Sequence, residues 1–116
     1  MTCHFSDFIL VTSYFPNVGI KGADRLDYRI KEWDPDFQHF LKEELEVGCG
    51  KPVILCGDLN VVHQEIDKYE TGRPVSSTRR NISESFDPLL SSKGFIDTFR
   101  HQNPGKVEYS YYSSKG

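Results

Sequence analysis

Two short runs of apolar, strand-forming residues flank one stretch of helical periodicity, and this order constrains the fold more than any other feature of the sequence. The first run, Phe8-Ile9-Leu10-Val11-Thr12-Ser13-Tyr14, is continuous rather than alternating, which predicts a strand covered on both faces. Pro16-Asn17-Val18-Gly19 ends it in a turn. From Leu26 the apolar positions Ile30, Trp33, Phe37, Phe40, Leu41 and Leu45 recur at spacings of three and four, one face of an amphipathic helix. Pro35 has no N–H and its ring crowds the preceding turn, so the pattern predicts a kink or break there, with Asp34 as N-cap of the restarted helix. Gly48-Cys49-Gly50 stops the helix, and Pro52-Val53-Ile54-Leu55-Cys56 reads as a second buried strand ending at Gly57-Asp58.

Farther along, residues 71–83 contain no acid and carry Arg73, Arg79 and Arg80 among Gly, Pro, Ser and Thr, which reads as a basic loop. Phe86, Leu89 and Leu90 suit a short helix closed by Gly94, with Asp87-Pro88 as an alternative start. Phe95-Ile96-Asp97-Thr98-Phe99 and Tyr109-Ser110-Tyr111-Tyr112 are strand or loop-edge candidates. Without repeats, low-complexity segments or linkers, one domain or one part of a larger domain is the simplest organisation.

Several function classes fall away on composition. No apolar run approaches the roughly eighteen residues of a membrane span, and Met1-Thr2-Cys3-His4-Phe5 lacks the layout of a secretion signal; the expectation is a soluble, intracellular protein. Cys3, Cys49 and Cys56 are odd in number and widely spaced, which suggests neither a disulfide framework nor a zinc site. Asn81-Ile82-Ser83 fits the glycosylation pattern, which matters only in a secreted chain. A formal net charge of −3 excludes holding nucleic acid by bulk positive charge; contacts to DNA would come from local placement.

The chemistry-bearing residues sit at strand ends, where ligands of α/β sheets gather. Asp58 and Asn60, in Gly57-Asp58-Leu59-Asn60, follow the second strand; a carboxylate and an amide two apart suit a hard cation such as magnesium, and equally suit an Asx turn. Tyr14 and Asn17 follow the first strand, where a phenol and an amide can donate to a phosphate or simply cap the strand with a turn.

Tyr14-Phe15-Pro16-Asn17, Arg25-Leu26-Asp27-Tyr28-Arg29, Gly57-Asp58-Leu59-Asn60-Val61-Val62-His63-Gln64-Glu65-Ile66-Asp67 and Gly94-Phe95-Ile96-Asp97-Thr98-Phe99-Arg100-His101 occur in this order. Over nearly the whole chain the sequence thereby resembles the abasic-site DNA endonucleases of the exonuclease III type, within the endonuclease/exonuclease/phosphatase superfamily. The G-D-x-N step is shared across the superfamily; the longer segments are far more specific.

The resemblance implies a fragment of the DNase I-like α/β fold, a four-layer sandwich of two packed β-sheets with helices outside. Residues 1–116 would be its central part, lacking the N-terminal and C-terminal parts that carry a metal-binding Glu and a closing S-D-H. It implies magnesium, or manganese in its place, no organic cofactor, and double-stranded DNA with abasic sites as partner, cut on the 5′ side to leave a 3′-hydroxyl. Asp58 would align the attacking water and accept its proton, and Asp58 with Asn60 would hold the metal. Tyr14 would act on the scissile phosphate and Asn17 would contact it. Tyr111 and Tyr112 match an aromatic pair near the sugar pocket, where Phe and Trp or two Trp are usual, so Tyr111 is a substrate-binding candidate. His63, Asp67 and Asp97 read as hydrogen-bonded structural groups. Thr78-Arg79-Arg80-Asn81 departs from the family's usual T-x-E-E-R.

Two alternatives stay open. Another superfamily phosphoesterase is opposed by Val61-Val62-His63 and by Asp97 to His101; a non-catalytic DNA-binding or protein-binding remnant would keep the surface without the chemistry.

Overall fold

In the computed structural model, which describes residues 1–19, 22–69 and 74–112, the first apolar run forms strand β2, Ile9–Tyr14. It pairs in parallel with β3, Val53–Asp58, and antiparallel with β1, Thr2–His4, an edge strand that hydropathy left unread. The order β1-β2-β3 makes one mixed sheet of three strands among the described residues. A helical crossover joins β2 to β3, as a parallel pair requires.

That crossover runs without interruption as α1 (Ala23–Tyr28), a π-helical turn (Arg29–Trp33), α2 (Asp34–His39) and a second π-helical stretch (Phe40–Val47). The expected break at Pro35 is absent: Trp33 and Asp34 both keep helical dihedrals (φ −59°, ψ −58°; φ −61°, ψ −47°). Pro35 sits in the first turn of α2, where its lost N–H is cheap because the wider turn ahead has already shifted the bonding. Asp34 caps nothing; its carboxylate is turned to Arg29.

The core of this first unit, Met1–Asn60, consists of Ile9, Val11, Phe15, Val18, Leu41 and Leu45. Phe15 packs edge-on against Trp33 and Phe37, whose rings stack 5.6 Å apart. The register places Ile9 and Val11 beside Val53 and Leu55 on the packed face. On the other face Ile54 is 49% exposed and Cys56 is exposed as well, so β3 is not the buried strand its apolar run suggested. Likewise β2, expected to be covered on both faces, is only half-buried there at Leu10 and Thr12 and exposed at Tyr14.

The second unit, Val61–Gly116, holds a short 3-10 turn (Glu65–Asp67) and helices α3 (Ser77–Ser91) and α4 (Thr98–Gln102). Here the basic-loop reading is corrected. Ser76 caps α3 by accepting from the Arg79 N–H, and Ile82, Phe86 and Leu89 form its buried stripe, so Arg79 and Arg80 lie on the first turn of a helix. Arg73 lies outside the described residues. Pro88 falls inside α3, depriving the Glu84 carbonyl of its helical donor rather than starting the helix. The Phe95–Phe99 segment is likewise no strand: Asp97 caps α4 through the Arg100 N–H at 2.9 Å. Tyr109–Tyr112 forms no strand either, which leaves the loop-edge reading. Among the described residues no helix is long and apolar enough to cross a membrane.

Candidate functional site

Parallel registry puts Tyr14 and Asp58 side by side as the last pair of β2 and β3. Side chains of registered neighbours project to the same face, here the open one, and Tyr14 is 64% exposed with Asp58 also exposed. The ladder continues one step beyond, the Phe15 N–H donating to the Asp58 carbonyl at 2.8 Å. Gly57 is required just before: at φ +126° a side-chain carbon would lie 2.1 Å from the Ser13 carbonyl oxygen.

Beyond the strand, Asp58 Oδ1 accepts from the Asn60 N–H at 3.0 Å, an Asx turn that lets Asn60 take a left-handed conformation (φ 46°). The Asn60 amide nitrogen then crosses to the exit of β2 and donates to the Phe15 carbonyl at 2.8 Å. Asn17 makes its own Asx turn, Oδ1 accepting from the Gly19 N–H. Tyr14, Asp58 and Asn60 are thus brought together directly, with Asn17 in the loop that leaves Tyr14.

Sequence reasoning missed the residue underneath. Arg29 is fully buried, and its guanidinium donates to the Pro16 carbonyl at 3.1 Å, the Leu59 carbonyl at 2.9 Å and the Asn60 carbonyl at 3.4 Å. Its Nε donates to Asp34 Oδ1 at 2.7 Å, and its plane lies 4.9 Å from the Phe15 ring centre. The Asp34 carboxylate is also buried, and its other oxygen has no partner among the described residues. The only trace of this in the sequence was Arg29 within the R-L-D-Y-R segment; a buried ion pair has no hydropathy signature.

The fit to a metal is partial. Asp58 offers an exposed carboxylate with one oxygen engaged, and Asn60 offers its amide oxygen, since its nitrogen is committed to Phe15. Such a set holds a hard cation that keeps most of its waters.

In the second unit, His63, Asp67 and Asp97 bring ligand atoms within 4.8 Å of one another, a spacing a metal could use. All four carboxylate oxygens are already accepting. Asp97 Oδ2 takes the His63 Nδ1–H at 2.7 Å and Oδ1 the Arg100 N–H; Asp67 takes the Gln64 N–H and the Arg100 guanidinium. Arg100, 5% exposed, therefore supplies the positive charge a cation would bring, and the cluster reads as a closed network, in line with the structural roles expected of these residues. Partial burial alone would raise the Asp97 pKa, but the Arg100 N–H, the His63 hydrogen bond and the electrostatic pull of His63 and Arg100 together hold it below the ordinary carboxylate value. Tyr111 is 71% exposed in this unit, and Tyr112 packs with Tyr69 and Tyr109.

No protein-family model matches the chain. Among curated proteins it is 44% identical, over its whole length, to 32% of a "DNA-(apurinic or apyrimidinic site) endonuclease" of Dictyostelium discoideum. It is 45% identical over 96% of the chain to 34% of the "DNA repair nuclease APEX1" of Danio rerio, and 38% identical over 97% to 44% of an "Exodeoxyribonuclease" of Bacillus subtilis. The chain thus spans about a third to under a half of these relatives. Its fold matches 44% of an AP endonuclease from Archaeoglobus fulgidus over 99% of the chain, with TM-score 0.82 at 18% identity, which makes the architecture a piece of that α/β fold.

Proposed function

We propose that the chain, 38–45% identical over nearly its whole length to abasic-site endonucleases and an exodeoxyribonuclease, is the central part of an exonuclease III-type enzyme that hydrolyses the phosphodiester 5′ to an abasic site in DNA. The observation that carries the reading is the registered pair Tyr14–Asp58 on the open face at the ends of β2 and β3, with Asn60 tied to both strand exits. Asp58 aligns a water and takes its proton as the new oxygen–phosphorus bond forms. The bond from phosphorus to the 3′ oxygen breaks, and that oxygen leaves as the 3′-hydroxyl once protonated. The Tyr14 phenol and the Asn17 amide donate to the phosphate oxygens, where negative charge grows. Tyr111 offers a flat, wet surface to the abasic sugar. Magnesium, or manganese, held by Asp58 and the Asn60 oxygen, supplies charge neutralisation at the phosphate when bound. The protein would act where the DNA is, in the nucleus or elsewhere inside the cell.

The test is incision of a duplex with one abasic site by the full protein that carries this chain, with magnesium. A single cut 5′ to the site with a 3′-hydroxyl end, abolished by Asp58→Ala, is expected. No cut, or a cut that survives Asp58→Ala, overturns the reading. The Asx turn at Asp58 favours a second reading, a non-catalytic remnant in which Asp58 only shapes the loop; binding of abasic duplex without incision by that full protein would establish it.

A further inference from the structure

We propose that Arg29, oriented by Asp34, is the positioning residue of this site, setting the separation of the two loops that carry Tyr14–Asn17 and Asp58–Asn60; this deepens the reading above and rests on it. The two loops leave adjacent parallel strands just where ladder bonding ends, so the sheet no longer fixes them. Arg29 takes over there. One guanidinium reaches Pro16 on the first loop and Leu59 and Asn60 on the second, bridging them through carbonyls rather than side chains.

Only arginine can do this from within the core, because its planar fork presents five donors in fixed directions whereas lysine presents a point charge. The fork must itself be held, and the π-helical turn Arg29–Trp33 does so. In a 3.6-residue helix, positions five apart point about 140° away from each other. The wider turn brings Asp34 under Arg29, so that the Nε–H binds Oδ1 and the remaining donors face the loops. The ring of Phe15, on whose carbonyl Asn60 docks, lies against the same guanidinium, so ring, carbonyl and clamp form one rigid unit. Arg29 touches neither substrate nor metal; it fixes where the groups that do so stand.

The experiment compares Arg29→Met, Arg29→Lys and Asp34→Asn with Leu41→Ala, a core change on the same crossover outside the clamp. In the full protein, incision kinetics and amide hydrogen exchange are read together, well below every variant's Tm. A misplacement of about 1 Å can cost on the order of 100-fold in rate, so kcat should fall about 100-fold in both Arg29 variants and roughly 10-fold in Asp34→Asn, with KM within about 3-fold. Leu41→Ala should lower Tm and keep kcat. Exchange at the Phe15 amide should quicken at least about 10-fold in the Arg29 variants, while Leu10–Thr12 amides stay within about 2-fold. Uniform loss of protection along β2, rescue by lysine, or an unchanged kcat would overturn the proposal. A wild-type protein that cuts no abasic duplex would instead defeat the functional reading, and the exchange pattern would still decide whether Arg29 clamps the loops.

Discussion

Asp58 shapes its loop and, in the proposed reaction, takes a proton from water; its substitution can separate the two. Asn at this position keeps an oxygen to accept the Asn60 N–H, so the Asx turn survives while the charge is removed. Asp58→Asn in the full protein is therefore expected to lower kcat by about 100-fold or more with affinity for the abasic duplex unchanged, since the charge acts mainly in the transition state; single-turnover rates and equilibrium binding check this, and equal losses in both would contradict it. Asp97 belongs to stability instead. Its folded pKa is lowered, so its contribution is present above the unfolded value of about 3.9 and is lost as pH falls through the folded one. The Tm difference between wild type and Asp97→Asn should be full near neutral pH and shrink on acidification below about pH 4; a difference independent of pH would refute this.

Among the elements, β3 depends on a backbone approach. Gly57→Ala would force a side chain onto the Ser13 carbonyl at a φ that L residues rarely adopt, and should cost roughly 3 kcal/mol or more, measured by denaturant unfolding of the full protein. A loss below about 1 kcal/mol would mean the parallel pairing there is looser than the register shows. Helix α3 depends on its cap and stripe. Ser76→Ala should cost about 1 kcal/mol through the lost bond to the Arg79 N–H. An unchanged Tm would restore the view of its first turn as a solvated loop.

For the whole molecule, the open face of β3 and its unpaired edge among the described residues leave Ile54, Cys56 and a row of backbone groups unprotected. Net folding free energy is only about 5–15 kcal/mol for a complete domain, so loss of covering contacts is serious. The 116-residue chain expressed alone is expected to unfold without cooperativity, to associate, and to leave abasic duplex uncut with magnesium present. Cooperative monomeric unfolding by calorimetry and sedimentation would contradict the structural half, and incision abolished by Asp58→Ala the catalytic half.

Strand, crossover helix and strand, and the polar groups placed at the two strand ends, were legible in the sequence because they rest on local pattern: period, strand-forming composition, and a glycine just before the turn. Even so, of the periodic positions Ile30, Trp33, Phe37, Phe40, Leu41 and Leu45 only the two leucines are buried, and Arg29, Asp34 and Gln38 are buried beside them. Polar residues are buried when partners satisfy them, and the carbonyl partners of Arg29 come from 13 to 31 positions away, a separation no local window reads. The same holds for the π turn, which is stabilised by the pair it creates, and for α3, whose first turn looks like a polar loop until Ile82 finds a core to enter. Local chemistry determined which groups stand at the strand ends; tertiary packing decided what holds them there, because burial of charge is set by the partners the fold brings together.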